Sequence, residues 1–385
     1  MVQTGLQILI AQQMDRLAGR RIGLVSHAAA VLPDLTGILP ALLAAGARVE
    51  ALFGPEHGFA GAALEGETVG HARHRRSGLP VYSLYGAASQ PSAEMLAGLD
   101  LLLVDFQDVG VRFYTYLSTL YYVLRGAAQA GLPVLLLDRP NPLGGQVVDG
   151  PLLWASYQSF VGMLPIPLRY GLTLGELAGW MNTTQRLGAA LEVVALHGWR
   201  RALVFEQTGL PWTPTSPAMP RLSTAALYPG MCLLEGTNLS EGRGTALPFE
   251  VAGAPWLDGE DLADTLNRLE LPGVRFRPHS FLPTAGKHAG LVCQGVQVHI
   301  VERAALDPLA LGLHVLAACR AANPAAFAFL PPAGGSLHPH IDLLYGSAAA
   351  REHLLAGRPV RDLQTAWAAD CAGFRRDCQP YLLYD

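Results

Sequence analysis

Residues Asp100–Asp108 read DLLLVDFQD, and residues Leu132–Pro140 read LPVLLLDRP. A strand with one face in water alternates apolar and polar side chains. These two runs do not alternate, so both faces are covered, as in a parallel sheet lying between helices. Between them YTYLSTLYYVLRGAAQAG, Tyr114–Gly131, has a helical pattern ended by glycine. The three segments make one β-α-β unit. Upstream, RIGLVSH (Arg21–His27), RVEALFG (Arg48–Gly54) and LPVYSLYG (Leu79–Gly86) read as strands, with a helix at LTGILPALLAAG (Leu35–Gly46). Downstream, a helix at LTLGELAGWMNTTQ precedes a strand at LEVVALHGW. The alternation predicts an α/β fold, an open and mostly parallel sheet with helices on both faces.

The pattern loosens in the second half. PWTPTSPAMP, Pro211–Pro220, carries four prolines and is the candidate linker. Beyond it, VRFRPHSFLPT and CQGVQVHIVE read as strands, and LDPLALGLHVLAAC and DLQTAWAADCAGFRR as helices. The expectation is two domains, 1–212 and a smaller α+β domain over 213–385.

Half the residues are apolar and 15% charged, which favours a large core over disorder. A net charge of −4 with no basic stripe argues against a nucleic-acid partner. The densest basic cluster, HARHRR (His71–Arg76), reads as a solvated loop. No apolar run reaches the ~18 residues of a membrane span, so no membrane partner is expected. Five scattered cysteines without a CxxC read as buried thiols, which suits a reducing compartment. The N-terminus shows no basic leader or cleavage site, so the expected location is cytoplasmic. Oligomeric state leaves no mark in the sequence.

In an open parallel sheet, ligands bind beyond the carboxyl ends of the strands. His27 ends the first predicted strand, and Glu56 follows the second in LFGPEHGFAG. Asp105, Gln107 and Asp108 end the fourth; Asp138, Arg139 and Asn141 end the fifth. Each of these carboxylates has an ordinary use as a cap or turn former. Glu56 stands apart, because Glu is a poor cap and Gly54, Pro55 and Gly58 bend the chain around it. His57 is its orienting neighbour or a substrate contact. A second polar cluster lies in YPGMCLLEGTNLSEGRGTALPFE, with Glu235, Asn238, Ser240, Glu241 and Arg243 between glycines.

Known signatures are missing. No GK[ST] phosphate loop, HExxH metal helix or GxSxG nucleophile elbow occurs. The His71/His74 pair has no ordered carboxylates beside it, and Asp105 with Asp108 lacks a phosphate-cradling partner for Mg²⁺. Acid–base chemistry by carboxylates is left, with Arg, Asn and Tyr as substrate contacts. Glycoside cleavage is the reaction class that needs such a set.

LFGPEHGF, LPVYSLYG, DFQDVGVRFYTY, DRPNPLGG, YGLTLGELA, EGTNLSEGRGT, PFE…GAPW and the closing YLLY together resemble the NamZ-type exo-β-N-acetylmuramidases. The resemblance runs from the first strand to the C-terminus, with the motifs in family order. It implies a Rossmann-like N-terminal domain, an auxiliary C-terminal domain and an active cleft between them. It implies release of N-acetylmuramic acid from the non-reducing ends of peptidoglycan fragments, without metal or organic cofactor. The family's proposed catalytic carboxylate falls on Glu56, as general acid. Asp108, Glu241 and Tyr114 lie in matching motifs as candidates for the second group. His27, His57, Gln107, Asp138, Asn141 and Asn238 are the expected further substrate contacts.

The chain also departs from the family. SHAAA stands where the family reads something like TNPTG, so His27 replaces an amide. Leu247, in GTALPFE, stands where the family has a basic residue. The lactyl carboxylate of muramic acid calls for a cation, best a bidentate guanidinium. Arg112, Arg139 and Arg243 are the candidates for it. Two alternatives follow from these departures: a catalytically silent saccharide-binding or sensing protein, and a hydrolase for another amino sugar such as N-acetylglucosamine.

Overall fold

The computed structural model describes residues 1–385. The chain forms two compact units, each assembled from separate stretches. The first comprises 1–147, 170–220 and 375–385; the second comprises 148–169 and 221–374.

In the first unit, α1 (Gly5–Gln12) is started by a capping box between Thr4 and Gln7. It is followed by β1 (Arg21–Ser26), α2 (Ile38–Ala44) and β2 (Arg48–Gly54). Next come a two-residue β3 (Ala72–Arg73), β4 (Pro80–Ser83), the short α3 (Ala93–Leu96) and β5 (Leu101–Asp105). Helix α4 (Tyr116–Ala130) stops at Gly131, whose φ of 65° is the left-handed conformation that favours glycine. Then follow β6 (Val134–Leu137), α5 (Leu174–Thr184) and β7 (Leu191–Val194).

The strands lie in the order β3-β4-β2-β1-β5-β6-β7. All neighbours are parallel except β3, which pairs antiparallel to β4 at the edge. The six parallel strands, numbered along the chain, therefore run 3-2-1-4-5-6, the Rossmann order. Every residue of β5 and of β6 is buried, as the unbroken apolar runs require. One side of the sheet packs Ile22, Leu24, Leu52, Leu101, Leu103 and Leu135 against Leu6 and Leu9 of α1 and Ile38 and Leu42 of α2. The exposed HARHRR segment is a loop except for β3, an edge too short for the sequence pattern to mark.

The second unit is built around an antiparallel sheet in the order β8 (Val251–Ala254), β10 (Cys293–Ile300), β9 (Val274–Phe281). Its larger helices are α6 (Leu222–Met231), α7 (Gly259–Asn267) and α8 (Pro308–Ala322). Helices α6 and α8 touch backbone to backbone: a Cβ on Gly312 would fall 2.2 Å from the Gly230 carbonyl oxygen. Helices α9 (His340–Tyr345), α10 (Ala349–Leu355) and α11 (Val360–Cys378) follow, and the last turn of α11 belongs to the first unit. No helix is long and apolar enough to cross a membrane. All five cysteines are free and buried.

Candidate active site

The Rossmann order reverses between β1 and β5, where this fold usually leaves a ligand crevice. A small cavity lies there. The cavity among Ala29, Gln107, Arg139, Phe205, Pro211 and Thr213 holds about 10 Å³, room for a single water. Several predicted contacts surround it and face inward. His27 is buried; its Nε2 accepts from the Gln107 N–H (3.0 Å), and burial with the nearby Arg139 charge lowers its pKa to about 3. The imidazole is therefore neutral. The Gln107 amide donates to the Asp108 and Pro140 carbonyls, both at 3.0 Å. Arg139 binds Asp105 through Nε and Nη2 and reaches the Val31 carbonyl at 3.2 Å.

The next strand end is similarly locked. Asp138 accepts from Thr173 Oγ1 (2.7 Å), the Gly175 N–H (2.8 Å), its neighbour's Arg139 N–H (3.0 Å) and the Tyr384 hydroxyl (2.5 Å). Burial still pushes its carboxyl up to about 7. Asn141 donates to the Leu172 carbonyl (2.8 Å) and accepts from the Leu143 N–H (2.9 Å). These side chains brace the loops beyond the strands; their polar atoms already have internal partners.

Glu56 is differently placed. It follows β2 directly, on a turn closed by Gly58 N–H to the Pro55 carbonyl (2.9 Å). The residue is only 7% exposed. Oε2 accepts from Thr115 Oγ1 at 2.6 Å, and Oε1 from the Gly66 N–H at 3.0 Å. Tyr85 also hydrogen-bonds to Glu56, and burial together with that carboxylate pushes the Tyr85 hydroxyl up to about 12, so it remains a donor. Thr115 occupies the N-cap position of α4, yet its hydroxyl makes no cap. It points at Glu56 instead, so the carboxylate lies at the positive end of a fifteen-residue helix. His57 has a φ of 70°, unusual for a non-glycine residue, and its Nδ1 bonds to the Ala63 carbonyl at 2.8 Å.

Asp108, on the loop after β5, is fully buried. It accepts from the Tyr170 hydroxyl and from the Gly110 N–H (2.9 Å). Burial outweighs these donors and pushes the carboxyl up to about 6. Arg112 is the largest side chain that is fully buried. Tyr114 donates to Thr215 Oγ1 at 2.7 Å and packs edge-on against Tyr116, which in turn meets His27.

The second unit holds the other predicted cluster. Lys287, the only lysine in the chain, donates to the Leu234 (2.8 Å) and Thr237 (3.0 Å) carbonyls. Its Nζ also lies 2.8 Å from Glu241 Oε2, an ion pair whose alignment falls short of a hydrogen bond. Arg243 bonds to Glu235, stands 3.7 Å from Glu241 and lies over the Phe249 ring at 4.9 Å. Burial works to raise the Glu235 carboxyl, but Arg243 and His340 outweigh it and hold it below the usual range. Asn238 is used internally, by the Ala326 carbonyl (2.7 Å) and the Ala328 N–H (2.9 Å). Elsewhere in this unit, a cavity of about 520 Å³ opens between Ser156–Val161 and the loop 333–338. No three His, Cys, Asp or Glu side chains are grouped to hold a metal ion.

The structure thus brings Glu56 together with Thr115, Gly66 and Tyr85, none of which the sequence singled out. It also pairs Asp108 with Tyr170 and Glu241 with Lys287. The lone lysine was a usable signal: in a chain whose other basic groups are arginines and histidines, one ammonium marks a specific fit.

Two family models match the chain. Exo-β-N-acetylmuramidase NamZ, N-terminal, covers residues 22–223, and its C-terminal counterpart covers 226–384. The peptidoglycan β-N-acetylmuramidase NamZ of Bacillus subtilis (strain 168) is 41% identical over 384 residues, covering 100% of this chain and 91% of that protein. Two crystal structures of DUF1343 family proteins from Bacteroides fragilis NCTC 9343 superpose along the whole chain. One has a TM-score of 0.90 at 36% identity, the other 0.79 at 29%, each with 99% of its own length covered.

Proposed function

The chain belongs to the exo-β-N-acetylmuramidase NamZ family, and from that premise we propose that it is a glycoside hydrolase releasing N-acetylmuramic acid from the non-reducing ends of peptidoglycan fragments. The observation that carries this is the full-length likeness to the Bacillus subtilis enzyme. The setting of Glu56 adds a chemical reason. A carboxyl at a strand end, held by two side-chain hydroxyls and a backbone N–H, is oriented for one task.

Glu56 is the general acid of this proposal. Its proton passes to the glycosidic oxygen as the bond from that oxygen to the anomeric carbon breaks; a water oxygen becomes the new hydroxyl on that carbon and gives up its proton to a carboxylate. Asp108, in the family-like DFQDVGVRFYTY motif, is the proposed second acid–base group, and burial raises its carboxyl to about 6. Glu241 ranks behind it, since its charge is already matched by Lys287 and Arg243. Five free thiols suit a reducing, cytoplasmic setting for the enzyme, acting on recycled wall fragments. Glu56→Gln, with an aryl N-acetylmuraminide as substrate, tests the assignment. The expected result is a folded protein with nearly all turnover gone; full activity would refute it.

A hydrolase for another amino sugar is the second reading, and one position favours it. Leu247 packs against Val251, Phe281 and Cys293 in an apolar cluster and supplies no cation. Of the three candidate arginines, Arg139 and Arg243 are engaged by acidic partners, and Arg112 is buried. Turnover of aryl N-acetylglucosaminide above that of the muraminide would decide for it.

A further inference from the structure

His57 holds a left-handed backbone conformation, φ 70°, that strains a non-glycine residue, and such strain persists only where the surroundings enforce it. The enforcing contacts are local. A carbonyl only accepts, so Nδ1 carries the proton in the bond to Ala63 O (2.8 Å), and the Ala63 N–H returns to the His57 carbonyl (3.3 Å). These two bonds close the loop 57–63. Immediately beyond, Leu64 N–H donates to Glu67 Oε2 (2.9 Å) and Glu67 N–H to the Leu64 carbonyl (3.3 Å). That turn sets Gly66 with its N–H on Glu56 Oε1. Residues 61–70 are otherwise mostly exposed. The strap therefore meets Glu56 through Gly66, and its near end is fastened by the His57 ring.

We propose that His57 is a positioning residue for Glu56: its ring fastens the strap 57–70 so that the Gly66 N–H holds one carboxylate oxygen while Thr115, at the head of α4, holds the other. The inference rests on Glu56 being the acid. Of the two sequence expectations for His57, orienting neighbour of Glu56 or substrate contact, it follows the first and gives it a route, through the strap.

Two variants separate ring from backbone. His57→Gly accepts the left-handed conformation without strain and loses the ring. His57→Asn also tolerates that conformation and supplies an amide donor. The expected result for His57→Gly is a fall in kcat of about 10- to 100-fold, the scale of a small misplacement of a catalytic group. KM should stay within about twofold, and amide hydrogen exchange over residues 63–67 should be faster than in the parent. His57→Asn should recover part of both kcat and protection, and it carries the test if the glycine variant does not fold. Parental kcat in the glycine variant, unchanged exchange, a loss carried by KM, or no recovery with Asn would each overturn the inference. Activity in Glu56→Gln would instead remove the acid itself. An inactive Glu56→Gln beside a fully active His57→Gly would overturn the positioning role alone.

Discussion

Replacing Lys287 by Met tests how the charged loop of the second unit is held. The ammonium donates to two carbonyls and lies 2.8 Å from Glu241, whose side chain is 4% exposed. Removing one partner of a buried pair costs about 3–5 kcal/mol, mostly the penalty of an uncompensated charge. Arg243 remains at 3.7 Å but is shared with Glu235, so the lower end, about 3 kcal/mol, is expected from this term. The Leu234 and Thr237 carbonyls add about 1 kcal/mol, a modest amount because the Lys287 side chain is 22% exposed and water can follow it out. The prediction is a loss of about 3–4 kcal/mol in urea unfolding. The double variant Lys287→Met/Glu241→Gln should regain about 2 kcal/mol, since the stranded charge is gone. Lys287→Arg should not restore stability, because a planar fork cannot reproduce the lysine's three donor directions. A Lys287→Met protein within about 0.5 kcal/mol of the parent would refute the reasoning.

Two further outcomes follow from the first unit. Burial raises Asp108 to about 6, against roughly 3.9 unfolded, so between those pH values the folded chain keeps a proton that the unfolded chain has lost. Its contribution is therefore fully present below about pH 4 and is lost as pH rises through 6; comparing Asp108→Asn with the parent across pH 4–7 should show the variant gaining roughly 3 kcal/mol in relative stability, and parallel curves would exclude it. Gly110→Ala should destabilise by about 2–3 kcal/mol in thermal or urea unfolding, because φ is 75° and the new Cβ would fall 2.3 Å from Asn141 Oδ1; an unchanged midpoint would mean that the Asn141 side chain gives way freely.

The sheet was legible because the signal is local. LLLV and VLLL carry no polar residue, as a strand covered on both faces requires. The polar strand ends were legible for the same reason. Which of those ends reach a substrate was not, because it depends on pairings between distant residues. Asp105 and Arg139 are 34 positions apart and neutralise each other. Asp138 meets a tyrosine 246 residues later. Thr115 falls inside the predicted helix Tyr114–Gly131, and only the approach of Glu56 to the head of α4 in the folded chain gives its hydroxyl that partner. The loop delivering Gly66 has no apolar period, so no pattern could mark it.

The interleaving of the two units has a consequence during synthesis. When residue 220 emerges from the ribosome, all seven strands of the large sheet are already made, yet the Asp138 pocket still lacks the Tyr384 hydroxyl, and Glu176 still lacks the Leu383 N–H. At roughly 5–20 residues per second, those groups arrive about ten to thirty seconds later. For that interval the Asp138 and Glu176 carboxyls beside α5 lack these C-terminal donors. Translation speed through the second unit thus sets how long the first must wait for its final clasp.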